Sequence, residues 1–108
     1  MKDEQNYDEK LKELRKYSDP YIVYTNAKQY YGDDVEMSVS TRKNKKYMML
    51  NPYTNKWVHF GEMGFSDYTL HKDKVRRMNY RLRASNILGD WEQNKYSPNY
   101  LSLQLLWG

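Results

Sequence analysis

The sequence predicts one small α+β domain, and three observations lead to that class. The chain has 108 residues, which is about the size of a single domain. Only 39% of its residues are hydrophobic, but 12 tyrosines, 3 tryptophans and 6 methionines supply large side chains for a core. Apolar residues recur at helical spacing near both ends and with a period of two in the middle. We therefore expect an N-terminal amphipathic helix over residues 1–17 and one compact domain over residues 20–108.

The first elements follow from local spacing. Tyr7, Leu11 and Leu14 lie four and three residues apart, which predicts an amphipathic helix over residues 2–17. Its narrow apolar side packs on its own domain or forms a seam with another chain, and we favour the first. Ser18, Asp19 and Pro20 end this helix, because the residue before a proline avoids the helical region. Residues 21–25 are aromatic and β-branched and predict a strand, followed by a loop over residues 26–34.

The middle of the chain predicts an antiparallel sheet. Val35, Met37 and Val39 alternate with polar residues, which is typical of a strand with one buried face. Residues 45–50 and 56–60 form two further strands, joined by turns over residues 41–44 and 51–55. We expect a three-stranded meander, with residues 21–25 as an additional strand at one edge.

The second half predicts two helices. Ser66 or Asp67 caps the segment that follows the sheet, and residues 72–87 form a helix that ends before Gly89. Its narrow apolar face consists of Val75, Met78 and Leu82, and cations lie on both sides of this face. The cations on one side are Lys72, Arg76 and Arg83, and those on the other side are Lys74, Arg77 and Arg81. After a loop over residues 90–96, Ser97 and Pro98 begin a last helix through Trp107. That helix is apolar nearly all round, so we expect it to be buried.

Composition excludes several functional classes. The chain has no cysteine and therefore no disulfide, thiolate zinc site or cysteine nucleophile. Its longest apolar run is too short to span a bilayer, and the polar start Met1-Lys2-Asp3-Glu4 is unlike a signal peptide. We expect a protein that is neither inserted in a membrane nor secreted.

Charge is unevenly distributed along the chain. Residues 1–40 carry six basic and nine acidic side chains, net −3, and residues 41–108 carry twelve and five, net +7, which together give the overall +4. The basic part can attract a polyanion, or the two parts neutralise each other within the fold.

Ten cations form the candidate polyanion-binding surface. They lie in a basic turn, Arg42, Lys43, Lys45 and Lys46, and on the basic helix, Lys72, Lys74, Arg76, Arg77, Arg81 and Arg83. Together they would give sequence-tolerant, salt-sensitive binding to phosphates. The alternative is a solvated surface with some arginines paired internally. Tyr47, Tyr53, Trp57 and Tyr68 would stack bases if they are exposed, but we favour packing in the core.

Four residues are the candidates for metal or acid–base chemistry: His59, Asp67, His71 and Asp73. Their spacing matches no known ligand motif. A hydrogen-bonded structural network, in which Asp67 caps a helix and receives Arg76 or Arg77, explains the same residues, and we favour it. The chain has no phosphate-binding glycine loop and no nucleophile elbow. We therefore predict no catalytic residue, metal or cofactor.

Part of the sequence resembles a known family. The pattern His-Phe-Gly, then Asp-Tyr-Thr-x-His-x-Asp, then an arginine-rich helix is similar to a small domain of unknown function that recurs in large nucleocytoplasmic DNA viruses. The residues that carry it are His59, Phe60, Gly61, Asp67, Tyr68, Thr69, His71, Asp73, Arg76, Arg77 and Tyr80, and the C-terminal segment ending in Leu105, Leu106 and Trp107 resembles the same domain's tail. The likeness covers residues 45–108. One departure is Ala84 after Arg83, where the family tends to place a histidine.

The resemblance implies a viral origin and a non-enzymatic role. We expect a minor virion component or assembly factor that presents a basic surface to viral proteins, such as capsid or other virion components. It would be located in the virion or in the cytoplasm of the infected cell. The alternative is a nucleic-acid-binding accessory protein that contacts DNA or RNA through the basic helix and the basic turn. The sequence leaves the oligomeric state open.

Overall fold

A computed structural model describes residues 2–85 and 94–108 and confirms the α+β class. The helices are α1 (Lys2–Leu14), α2 (Pro20–Tyr31), α3 (Tyr68–His71), α4 (Lys74–Ser85) and α5 (Pro98–Leu101), followed by a π-helix (Ser102–Leu106). The strands are β1 (Met37–Val39), β2 (Lys45–Asn51) and β3 (Lys56–Glu62). Among the described residues, no helix is long and apolar enough to cross a membrane.

Helix α1 packs against its own chain. Leu14 is fully buried in the core and Leu11 packs at the core's edge. The Lys10 ammonium donates a hydrogen bond to the Ser40 carbonyl oxygen at 2.5 Å and another to the Arg42 carbonyl oxygen. These two bonds attach α1 to the turn between β1 and β2.

The segment predicted as a strand over residues 21–25 is part of helix α2, and so is most of the predicted loop over residues 26–34. Asp19 caps this helix, because its carboxylate accepts hydrogen bonds from the backbone N–H groups of Tyr21 and Ile22 at 3.1 and 3.4 Å. Pro20 occupies the first turn, where its missing N–H has no consequence. Val23 and Ala27, four residues apart, are fully buried. Capping and burial on one face outweigh the strand propensity of the aromatic and β-branched residues.

The sheet is the predicted three-stranded antiparallel meander, in the order β1-β2-β3, without an added edge strand. Met37 lies opposite Met49, and Val39 opposite Tyr47. Tyr47 in turn lies opposite Phe60, with their rings stacked at a centroid distance of 5.7 Å. This row of side chains forms the sheet's contribution to the core.

The helix predicted over residues 72–87 is α4, which begins two residues later than predicted, and the short helix α3 precedes it. Lys72 and Asp73 form the break between the two helices. Asp67 caps α3, and Lys72 ends it in a left-handed conformation with φ of 59°. The Asp73 carboxylate then accepts hydrogen bonds from Val75 N and Arg76 N at 3.0 and 3.2 Å and caps α4. The predicted end near Ile87 and Gly89 lies outside the described residues.

The C-terminal segment is buried, as predicted. Ser97 caps α5 and Pro98 occupies its first turn. The chain continues as a π-helix whose last turn is closed by a hydrogen bond from Trp107 N to Ser102 O at 3.2 Å. The buried apolar residues are Leu101, Leu103, Leu105, Leu106 and Trp107. Asn26 of α2 donates to the Leu105 carbonyl oxygen at 3.0 Å, which fixes this segment against α2.

Candidate functional site

The four predicted metal or acid–base residues do not converge. His59 Nδ1 lies 2.6 Å from the Ser40 hydroxyl, whereas Asp67 lies in a separate buried network. His71 and Asp73 are joined by the hydrogen bond from Asp73 N to His71 Nδ1 at 2.8 Å, and the His71 ring packs against Tyr68 and Trp107. Within residues 2–85 and 94–108, no three His, Asp or Glu side chains form a group that could hold a metal ion.

Asp67 belongs to a structural network, but its cation is Lys46 and not the predicted Arg76 or Arg77. Lys46 Nζ lies 2.9 Å from Asp67 Oδ2, and the two side chains are 3% and 1% exposed. Asp67 Oδ1 accepts hydrogen bonds from the N–H and the hydroxyl of Thr69. Burial lowers the pKa of Lys46, and the charge of Asp67 opposes that effect. Asp67 therefore has a structural role as the partner of a buried cation and a helix cap.

The network continues into the link between α1 and α2. The Thr69 hydroxyl accepts a hydrogen bond from Asp19 N at 2.9 Å and lies 3.2 Å from the Ser18 hydroxyl. Ser18 in turn lies 2.7 Å from the Tyr47 hydroxyl. These contacts join the α1–α2 link, β2 and α3 through buried polar atoms, and the sequence analysis did not anticipate Ser18 as a member. No local signal identifies it, since its partners lie 29 and 51 residues away.

The basic turn contributes fewer surface cations than predicted. Lys46 is buried, and Lys45 is paired with Glu62 at 2.5 Å across β2 and β3. Arg42 and Lys43 remain exposed. Of the predicted four, these two are exposed, and the side chain of Lys45 is 28% exposed within its surface pair.

The basic helix α4 packs on the protein through arginine and tyrosine. Arg81 donates hydrogen bonds to the carbonyl oxygens of Leu103 and Trp107 at 3.4 and 3.2 Å. The Arg77 guanidinium lies 5.3 Å from the centre of the Tyr68 ring. The last carbonyl oxygens of a helix have no hydrogen-bond partner within the helix. A cationic side chain can donate hydrogen bonds to them, and an aliphatic side chain cannot. Arg77 and Arg81 therefore take part in the packing of α4 on the protein.

The Tyr80 ring completes this inward face. It lies flat on Trp107, with ring centroids 4.4 Å apart and planes 8° from parallel. His71 contacts the same indole at 5.2 Å. Tyr80, His71 and Trp107 thus form one aromatic contact between α3, α4 and the C-terminal segment.

The apolar stripe of α4 faces solvent. Val75, Met78 and Leu82, which we call the stripe, are 62%, 55% and 56% exposed. At about 100° per residue, the stripe lies on the side of the helix roughly opposite Arg77, Tyr80 and Ala84. The helix therefore turns Arg77, Tyr80 and Arg81 inward and its aliphatic side outward.

A third side of α4 forms one wall of a cleft. Arg76, Asn79, Tyr80 and Arg83 of α4 line this cleft, together with residues of β2, β3, α5 and the π-helix. The cleft has a volume of about 440 Å³. Among the described residues, neither Arg76 nor Arg83 forms an ion pair.

The predicted stacking aromatics have different environments. Tyr47 is 1% exposed and belongs to the core, and Tyr68 is partly buried beneath Arg77. Tyr53 and Trp57 are 87% and 44% exposed. Phe65, which the sequence analysis did not single out, is 69% exposed and lines the cleft.

Gly61 of the His-Phe-Gly pattern is required by its backbone and its neighbours. Its φ is +82°, a conformation that side chains with a Cβ rarely adopt. A Cβ at this position would lie 2.9 Å from Leu106 Cδ1 and 3.1 Å from Lys46 Cβ. The glycine therefore allows the π-helix to approach β3 and the buried lysine.

Comparison with known proteins gives one similarity. Residues 35–84 match a family of unknown function, DUF5754. The matched part is slightly less than half of the chain and runs from just before β1 to Ala84 in α4. The searches of curated proteins and of solved structures found no match. The matched residues thus include the sheet, the buried Lys46–Asp67 pair and nearly all of α4. The description of the family assigns no activity.

Proposed function

We propose that this chain is a non-enzymatic binding protein that contacts a protein partner through the solvent-facing side of α4. The observation that carries the proposal is the exposure of the stripe, because Val75 in the first turn of α4 and Met78 near its middle are both more than half exposed. The centre of a protein–protein interface is apolar and depleted of charge, and the stripe has that character.

The exposed cations around the stripe indicate the chemistry of the partner. Lys72 and Lys74 are exposed at the start of α4, and Arg76 and Arg83 are exposed on the cleft side. A partner segment with an apolar ridge and carboxylates along its edges would bury the stripe and pair with these cations. An acidic amphipathic helix has this pattern.

The viral part of the proposal rests on the resemblance of residues 45–108. On that basis the partner is a capsid protein or another virion component, and the chain is a minor virion protein or an assembly factor. Its site of action is then the virion or the cytoplasm of the infected cell.

Nucleic-acid binding is the second candidate function, and one observation favours it. Six of the ten predicted cations are exposed and, within the described residues, have no ion pair: Arg42, Lys43, Lys72, Lys74, Arg76 and Arg83. They would release counterions on contact with phosphates. A phosphate backbone, however, offers no apolar surface to cover the stripe, and for this reason we place the protein partner first.

A model peptide tests the proposed function. The probe is a fluorescent helical peptide with leucine at the a and d heptad positions and glutamate elsewhere, and its charge-inverted form with lysine is the control peptide. We expect the stripe variant, Val75→Gln/Met78→Gln/Leu82→Gln, to weaken binding of the acidic peptide at least about tenfold, a change of about 1.4 kcal/mol. Tyr21→Gln, which removes an 80% exposed ring on α2, is the matched control and should leave affinity unchanged.

Two results would overturn the proposal. Equal binding by the wild type and the folded stripe variant would exclude the stripe as the contact surface. Stripe-dependent binding to vesicles of anionic lipid, without binding to the acidic peptide, would assign this face to a membrane surface instead.

A further inference from the structure

The cleft beside α4 is distinct from the stripe and has the properties of a ligand site. Arg76 and Arg83 are seven residues apart, so they lie on one side of α4 about 10.5 Å apart along the helix axis. This side is turned away from the stripe by roughly a quarter turn or more. The cleft volume of about 440 Å³ lies within the range of roughly 300–1,000 Å³ that is usual for small-ligand sites.

Two of the four cations that line the cleft are already neutralised. Lys45 is paired with Glu62, and Lys46 with Asp67. Arg76 and Arg83 remain, and no carboxylate among the described residues pairs with either. A planar guanidinium binds phosphate or carboxylate oxygens through two parallel hydrogen bonds. The charge of the cleft therefore selects an anion.

The uncharged residues that line the cleft indicate the chemical nature of the rest of the ligand. Tyr80 is half-buried at the cleft and Trp107 is 9% exposed, whereas Phe60 and Leu106, which also line it, are almost fully buried. The Phe65 ring is 69% exposed at the cleft, and the side chains of Asn79 and Asn99 are exposed there as well. An exposed ring stacks on a flat heterocycle, and an amide both donates to and accepts from the edge of a base.

We propose that the cleft binds a nucleoside phosphate. The phosphate pairs with Arg76 and Arg83, and the base lies beside the exposed Phe65 ring, within reach of the asparagine amides. The same chemistry comes from a free nucleotide or from one unit of a single strand. The stripe takes no part in this site, but Arg76 and Arg83 are also among the cations that would pair with the acidic protein partner. The two ligands are therefore tested separately.

Calorimetric titration with defined ligands tests the proposal. The probes are ATP and an oligo(dT) of about 15 nucleotides, with pyrophosphate as the phosphate-only control and adenosine as the base-only control. The cleft variant, Arg76→Gln/Arg83→Gln, should lose at least about tenfold in affinity for whichever nucleotide probe binds. Lys72→Gln/Lys74→Gln removes the same charge from the same helix region but outside the cleft lining, and should change the affinity for ATP by less than about twofold.

A second variant separates shape from charge. Asn99 is exposed and lines the cleft, so Asn99→Trp obstructs it without changing the charge. Loss of binding in Asn99→Trp, with an unchanged thermal midpoint, supports the cleft as the site. If Asn99→Trp does not fold, the cleft variant and its lysine control decide the question by themselves.

The outcomes are separable. Displacement of the oligonucleotide by ATP identifies a site for free nucleotides, and arginine-dependent oligonucleotide binding without ATP binding identifies a single strand as the source. The proposal is wrong if pyrophosphate binds as tightly as ATP, if both double variants lose affinity equally, or if no nucleotide probe binds at about 1 mM. The stripe variant should bind nucleotides normally, so failure here leaves the protein-partner proposal intact.

Discussion

Lys46 Nζ lies 2.9 Å from Asp67 Oδ2, and this pair is the most deeply buried ionic contact among the described residues. Lys46 also donates to the Phe65 carbonyl oxygen at 2.5 Å, and Asp67 holds the first turn of α3. The pair thus joins the sheet to the segment that leads into the basic helix. It positions α3 and, through α3, the aromatic contact on which α4 rests.

Removal of the buried lysine should be costly. Lys46→Met leaves the Asp67 carboxylate buried without its cation, and we expect the free energy of unfolding to fall by about 3–5 kcal/mol. Lys45→Met breaks only the exposed pair with Glu62 and should cost about 0–1 kcal/mol. Urea denaturation followed by circular dichroism measures both. Equal effects of the two substitutions would contradict the role assigned to Lys46.

The arginines of α4 should divide into structural and exposed members. Arg81→Ala removes hydrogen bonds from a cation to two carbonyl oxygens and should cost about 1.5–3 kcal/mol. Arg83→Ala, two residues along the same helix, should change stability by no more than about 0.5 kcal/mol. Thermal or urea denaturation of the two single variants gives the comparison. A stability loss in Arg83→Ala as large as in Arg81→Ala would refute this orientation of the helix.

Gly61 near the end of β3 and Gly64 just after it should differ in their tolerance of a methyl group. Gly61 and Gly64 have φ of +82° and +100°, so alanine strains the backbone at either position by about 1–2 kcal/mol. At Gly61 the new Cβ would also meet Leu106 and Lys46, whereas nothing lies within 4 Å at Gly64. We therefore expect Gly61→Ala to be clearly the more destabilising in urea denaturation. The reverse order would show that the π-helix does not approach β3 as described.

Stability should depend on the protonation of both histidines. Burial lowers the pKa of His59, and the nearby charges of Arg42 and Lys10 lower it further. Burial also lowers the pKa of His71, and the charge of Arg76 adds to this effect. His71 Nε2 is buried without a hydrogen-bond partner in the described structure. The folded state therefore binds these protons less readily than the unfolded chain. Their contribution to stability is fully present above the ordinary histidine pKa of 6.5 and is lost as the pH falls through the lowered values.

Urea denaturation at about pH 7.5 and about pH 5 measures this dependence. The double variant His59→Asn/His71→Asn should lose less stability between the two pH values than the wild type. Asparagine keeps a hydrogen-bonding side chain at each position but does not titrate. An unchanged pH dependence in the folded double variant would mean that carboxylates or other groups cause it.

The parts of the fold that were predictable have local causes. The meander follows from the alternation of Val35, Met37 and Val39 and from turn residues at fixed distances, and the Ser97-Pro98 start of the last helix is a local capping signal. The strand prediction over residues 21–25 was wrong because it followed their strand propensity and not the Asp19-Pro20 capping signal, which was already present in the sequence. That signal would have identified the helix.

The site was less predictable because its determinants are distant in sequence. The spacing of the apolar residues predicts the stripe but not the direction that it faces. That direction depends on the hydrogen bonds from Arg81 to the carbonyl oxygens of Leu103 and Trp107, more than 20 residues away. Lys46 resembles any other lysine of a basic turn until Asp67, 21 residues further on, is placed beside it. A count of cations in the sequence therefore overestimates the charge that a polyanion can contact.

The central claim is that α4 binds a protein partner through its exposed aliphatic side. Parallel titrations of the acidic helical peptide and of duplex DNA between about 50 and 300 mM salt test it most directly. The account predicts that the peptide binds more tightly than DNA above about 150 mM salt and that the stripe variant loses the peptide. Tighter binding to DNA, with a steep salt slope that flattens when Lys72, Lys74, Arg76 and Arg83 are replaced by glutamine and is unaffected in the stripe variant, would contradict it.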